Sequence, residues 1–238
     1  MTPSTDSIRY GALSIEFTVI RRNRKTLEIA VEPDCSVAVV APLQSSNDAV
    51  RAKVKKRAPW ILQQQGYFSQ FSPRSVERQY CSGETHLYLG RQYRLKISKA
   101  DAPCVKLVRG YIIVGTVDPH DVLETKRLLD TWYQAKASAK FSERLGICQQ
   151  RFSRRNKVEP TGISIRAMEK RWGTMSHQKR LTLNRRLIQA SVASIDYVIT
   201  HELCHLVVPN HKPAFYKLLQ RVMGDWEIRK QRLERLLA

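Results

Sequence analysis

Apolar and polar residues alternate in short runs between residues 13 and 42, as at Leu27, Ile29 and Val31 and again at Val37 and Val39. Period-two alternation turns one face of a strand inward and the other to water, so this stretch predicts two or three strands with a turn at Pro33-Asp34. Residues 46–68 take helical spacing instead. Pro59 predicts a break there, with a second short helix that carries Trp60, Ile61 and Leu62 inward. Strand patterning returns at Leu87–Leu89 and Tyr93–Ile97, with turns expected at Gly90-Arg91 and Arg109-Gly110.

At Asp118-Pro119 the character changes, because Asp caps helix amides and Pro suits the first helical turn. Val122, Leu128, Leu129, Trp132 and Tyr133 then recur as one apolar face, and Gly146 is the expected terminator. Strands are expected at 163–168 and 180–184, flanking a loop with Arg171, Trp172, Gly173 and Ser176. A helix capped by Ser194 follows, with Ile195, Val198 and Ile199 as its apolar stripe. One more helix opens at Pro213 and ends near Gly224, and a basic helical segment starts at Trp226. The pattern predicts an α+β protein: a β-rich region with a short helical segment over 1–118, then a helix-rich region over 119–238.

Charge adds a partner class. Lys and Arg outnumber Asp and Glu by 41 to 21, a formal charge of +20 that favours DNA or another polyanion. The cations cluster at Arg21–Lys25, Arg51–Arg57, Arg151–Lys157 and Lys179–Arg186, with Arg154, Arg155 and Lys157 in the third group. They are spread along the chain without a helix-turn-helix, zinc-finger or RNA-recognition signature, so a solvated basic surface explains them equally well. The five Cys are odd in number and form no C-x-x-C pair, which argues against a disulfide framework or a zinc ribbon and for a reducing, cytoplasmic compartment. No basic segment leads into an apolar run and no stretch approaches bilayer length, so no membrane association is expected.

The candidate chemistry lies in His201-Glu202-Leu203-Cys204-His205, followed by Asn210-His211. Helical residues four apart are separated by about 400° of rotation, which puts His201 and His205 on one face within reach of one metal ion. Glu202, about 100° around from His201, suits a base that acts on water without ligating the metal. Pro209 disfavours helix at Val208, so the helix should stop near Val207 and turn back to present His211 as third ligand. The spacing equals that of the metzincin pattern H-E-x-x-H-x-x-G-x-x-H, but Val208 occupies its glycine position. A β-branched residue resists φ > 0, so the turn is expected to use Pro209 and Asn210 instead. Asp225 and Glu227 are the competing third ligands; His211 is preferred for its nearness and chemistry. Cys204 lies about 60° from His201 on the side away from His205, so a closed four-ligand site is disfavoured and an open, catalytic Zn2+ site is expected.

Arg171-Trp172-Gly173, Leu183-Asn184-Arg185, Tyr197-Val198-Ile199, the H-E-L-C-H element and Asn210-His211 with Phe215 together resemble the YgjP-like metallopeptidase family, relatives of the SprT-like proteases. Arg21–Lys25, Ala41-Pro42, Trp60-Ile61, Gly83-Glu84 and Tyr88-Leu89-Gly90 extend the likeness over residues 13–236. The resemblance implies a zincin-type core acting on protein or peptide substrates, with His201, His205 and His211 on zinc and Glu202 as base. The SprT link evokes cleavage of DNA-associated proteins, which would give the positive charge a purpose. One departure stands out: the family commonly has Trp-Gly-x-Cys-Ser, and this chain has Trp172-Gly173-Thr174-Met175-Ser176. If that cysteine only packs, Met175 replaces it as an adaptable apolar residue; if it touches substrate or metal, this member is altered.

The expected reaction is peptide hydrolysis, with zinc polarising the carbonyl, Glu202 activating the attacking water and then protonating the departing amine. Arg171, His177, Tyr197 and Tyr216 are candidates for stabilising the oxyanion, and the strand around Leu181–Leu183 for pairing with an extended substrate. The rival reading is a basic nucleic-acid-binding protein with a structural or vestigial zinc site. A hydrolase for a non-peptide bond ranks below both, since no phosphate-binding loop or two-metal carboxylate cluster is present.

Overall fold

Ile15, Phe17 and Val19 alternate along β2 (Leu13–Arg22) and bury on one face of a sheet, as period two requires. β2 pairs antiparallel with β1 (Ser4–Tyr10) and parallel with β4 (Val37–Pro42), which pairs antiparallel with β3 (Glu28–Val31), in the order β1-β2-β4-β3. β1 buries only Ile8, too faint a pattern to predict the strand. The structure is a computed structural model describing residues 4–32, 34–69, 78–152, 158–168 and 171–237. Pro33 of the predicted turn, and Arg154, Arg155 and Lys157, lie outside the described residues.

α1 (Asn47–Ser69) is one helix with Pro59 inside it, not two. An internal Pro costs about 3 kcal/mol through a lost hydrogen bond and ring crowding. The unbroken stripe Val50, Val54, Ala58 and Ile61, buried with Ile15, Phe17 and Val39, offsets that cost. Trp60 is 37% exposed, so it does not point inward as expected; Ile61 does. These elements form one compact unit, Met1–Ser75.

The second unit, Val76–Leu237, opens with a sheet of order β5-β6-β8-β7. Its strands are β5 (Thr85–Tyr88), β6 (Arg91–Lys99), β7 (Cys104–Val108) and β8 (Tyr111–Thr116). Leu89-Gly90 and Arg109-Gly110 are the two-residue turns, with φ of 49° and 79°, and 42° and 86°. Positive φ at both central positions is what a type I′ hairpin turn demands. α2 (Val122–Gln149) starts three residues later than predicted: Asp121, not Asp118, caps it, accepting from the Glu124 N–H at 2.9 Å. The helix also passes through Gly146, and Val122 stays exposed. Leu129, Tyr133, Ala137 and Phe141, spaced by four, share one core with Leu95, Ile112 and Val114 of the preceding sheet. The element type changes near residue 118, and the sheet before it and α2 after it share one core.

A three-stranded sheet follows, with β9 (Gly162–Arg166), β10 (Gly173–Met175) and β11 (Arg180–Asn184) in the order β10-β11-β9. β10 is too short to show a period and was expected as loop. β11 is central, so Leu181–Leu183 has both edges paired and cannot be the docking strand; the edge nearer the candidate site belongs to β10. A 3₁₀ turn, Arg185–Gln189, leads to α3 (Val192–Cys204), then α4 (Pro213–Val222) and α5 (Trp226–Leu237). Ser191, not Ser194, caps α3 and accepts from the Ser194 N–H at 3.2 Å. Gly90 fixes the entry to this helix: a Cβ there would lie 2.9 Å from the Cα of Ser191. No helix of the described residues is long and apolar enough to cross a membrane.

α3 is tied to its neighbours through Asp196, whose side chain is 4% exposed. Arg144 of α2 grips it with two bonds of 2.7 Å, Arg151 donates at 3.0 Å, and Arg229 of α5 lies 3.9 Å away. Removing one partner of a fully buried pair costs about 3–5 kcal/mol; the arginines here keep some solvent, so Asp196→Asn is expected to cost about 2 kcal/mol. Chemical denaturation checks this, and an unchanged midpoint would contradict it.

Candidate metal centre

His201 and Glu202 lie in the last turn of α3, and His205 is its C-cap. Amides of His205, Leu206 and Val207 bond to carbonyls three residues back, at 3.2, 3.1 and 3.0 Å, so the helix tightens and ends at Cys204, short of the predicted Val207. Among the described residues neither Val208 nor Asn210 has positive φ, so the turn to His211 needs no left-handed residue. Nε2 of His211 lies 2.9 Å from Nε2 of His201, and one ring nitrogen from each of His201, His205 and His211 falls within 4.8 Å of the others. Phe215 of α4, fully buried, packs against all three rings, with centroids 4.9, 4.7 and 4.6 Å away. Asp225 is instead paired with Arg229 at 2.8 Å, and neither it nor Glu227 joins the cluster.

Burial, reinforced by His205 and His211, lowers the His201 pKa to about 3. Burial and His205 lower that of His211. Both rings are thereby held neutral, the form that ligates a metal. Three imidazoles facing a cleft are the donor set of an open zinc site. Nδ1 of His201 and of His205 is buried with no hydrogen-bond partner. Among the described residues no carboxylate or carbonyl accepts from either Nδ1, and both rings pack on Phe215.

Glu202 is 7% exposed. Burial pushes its carboxyl up to about 7, opposed by a hydrogen bond from the Met175 backbone N–H and by the charge of Arg171. Gly173 makes the close approach possible: a Cβ there would lie 2.9 Å from Cγ of Glu202 and 3.0 Å from Cγ1 of Val198. A cleft of about 660 Å³ runs between β10 and the three histidines, with Glu202 among its lining residues.

A family model of the YgjP-like metallopeptidase domain matches residues 25–236. The chain belongs to this family. Membership implies a hydrolase and a metal, typically zinc. No curated protein gives a significant match.

In this YgjP-like chain Met175 is half-buried, packs on the core and lines the cleft. Arg171 and His177 also line the cleft. Tyr197 is buried and stacks on Trp226 at 6.4 Å, while Tyr216 is exposed with its ring 6.3 Å from His211. Cys204 is fully buried with its thiol pushed up to about 12 by burial, so it packs in the core. The sequence reading missed Lys230 and Glu234, which line a second cavity of about 250 Å³ together with His201 and Glu202. They stand 3.8 Å apart, and burial pushes the Glu234 carboxyl up to about 7. No local motif marks them, since only packing brings α5 to this place.

Proposed function

We propose that this YgjP-like protein is a zinc-dependent peptidase in which His201, His205 and His211 hold the metal and Glu202 moves the proton. The observation that carries the reading is the convergence of three imidazole nitrogens within 4.8 Å in a cleft that a buried carboxyl also lines. Zinc bound there supplies a Lewis acid for the scissile carbonyl and lowers the pKa of water. Glu202 takes a proton from the attacking water and returns it to the departing amine. Burial raises the proton affinity of this carboxyl, which suits a group that must take a proton and hold it for return. The Met175 N–H and the close fit over Gly173 hold that carboxyl in place. An extended substrate would pair with the edge strand β10 beside the Met175 N–H that holds Glu202, and Arg171 and His177 are the cleft donors suited to a developing oxyanion.

The rival, a basic nucleic-acid-binding protein with a structural or vestigial zinc site, has less support. A structural site closes with four protein ligands, and it leaves Glu202 without a task. The charge of +20 supports recruitment of the enzyme by a polyanion, including targets held on nucleic acid. Metal analysis tests the ligand set: His201→Ala, His205→Ala and His211→Ala are each expected to lose stoichiometric zinc, whereas Asp225→Ala and Glu227→Ala keep it. Zinc loss in either acidic variant, with retention in His211→Ala, would reassign the third ligand.

A further inference from the structure

Cations rim the cleft. Arg171 precedes β10, and residues 176–179 form the tip between β10 and β11, with His177 and Lys179 lining the cleft. The tip is fixed by the Lys179 N–H bonding to the Ser176 carbonyl at 2.9 Å and the Ser176 N–H to the Arg180 carbonyl at 3.0 Å. Neither Arg171 nor Lys179 has an ion-pair partner among the described residues, and both are exposed. Among the described residues the carboxylate lining the cleft is Glu202, which is buried. In the adjoining cavity Glu234 is offset by Lys230. Like-signed charges along a low-dielectric cleft focus their potential, and the +20 of the whole chain adds to it.

We propose that the cleft selects acidic polypeptide segments, with Arg171 and Lys179 engaging Asp or Glu side chains of a chain extended along β10. A polypeptide is favoured over nucleic acid by two features. β10 is an edge strand with no further strand on its outer side among the described residues, so a peptide backbone can pair there beside the Met175 N–H that Glu202 already accepts. The described residues lining the cleft include no Phe, Tyr or Trp, and Tyr216, exposed beside His211, is one ring where a strand of bases needs several. An extended chain presents alternate side chains to the same side, so spaced acidic residues meet the rim while the scissile bond lies over the histidines. The inference rests on the peptidase reading for catalysis but not for binding.

The test uses zinc-loaded Glu202→Gln protein and three labelled peptides that share an apolar centre and differ in flanks: Asp and Glu, Asn and Gln, or Lys and Arg. A labelled single-stranded oligonucleotide is the fourth probe, and fluorescence anisotropy at low and high salt is the readout. The acidic peptide is expected to bind at least about tenfold tighter than the neutral one, with the margin shrinking at high salt. Lys179→Gln should reduce the preference and Lys179→Glu should abolish it. Equal binding of acidic and neutral peptides, a preference unchanged in Lys179→Glu, or binding of the oligonucleotide alone would overturn the inference. Cleavage of the same peptides by the unsubstituted enzyme is followed in parallel: preference without cleavage counts against the peptidase reading and leaves the acidic selectivity standing.

Discussion

Replacing Glu202 with Gln is expected to lower cleavage of a denatured protein by about 10²–10⁴-fold, the usual contribution of a positioned acid–base group, while zinc content is unchanged. Gln matches Glu in shape, and its amide oxygen can still accept from the Met175 N–H that now meets the carboxylate. It cannot take and return a proton. Burial disfavours the charged form of Glu202, so the neutral amide relieves a desolvation cost and thermal stability should not fall. Activity lost without stability lost is therefore the signature of the proposed role. Cleavage at the unsubstituted rate would assign the proton transfers to another group.

Gly173→Ala should produce the second large effect, by moving Glu202 without changing it. The new Cβ would stand 2.9 Å from Cγ and 3.1 Å from Oε1 of Glu202, with Val198 3.0 Å away on the other side. Val198 is buried in the core and cannot yield, whereas Glu202 lines the cleft and is the side chain that must shift. Overpacking of this kind costs about 1–3 kcal/mol of stability. A displacement near 1 Å at a reacting group costs about 10²-fold in rate. Zinc should be retained, because the contacts fall on Glu202 and Val198 and not on the histidines. Gly162→Ala is the control in the same sheet: its Cβ would meet nothing nearer than 3.6 Å, so activity and stability should stay close to the starting protein. Equal activity in the two variants would mean that the fit of β10 on α3 does not position the carboxylate.

What the chain disclosed by itself follows the range of the interactions involved. The spacing of His201, Glu202 and His205 is a local helical property, and the hairpins carrying Gly90 and Gly110 announce themselves through residues that accept positive φ. Harder positions were those where burial chooses between equal local signals. Ser191 and Ser194 are both able caps, and only packing of the helix start decides for Ser191. Asp118 and Asp121 pose the same choice. Pro59 reads as a break until the sheet beneath α1 supplies a continuous stripe of contacts. The strand-to-helix change at residue 118 resembles a boundary, yet Leu95 and Leu129 belong to one core. β10 has three residues and no period, although its Gly173 shapes the surroundings of the Glu202 carboxyl. Phe215, Lys230 and Glu234 reach the site through α4 and α5, and no spacing rule links them to the histidines.

The most direct measurement of the central claim follows cleavage of a denatured protein while zinc is removed by a chelator and then restored at one equivalent per chain. The account predicts that cleavage disappears with the metal, returns with its restoration in the unsubstituted protein, and does not return in Glu202→Gln loaded with the same zinc. Undiminished cleavage by metal-free protein, or a protein that binds no zinc at the three histidines, would contradict it.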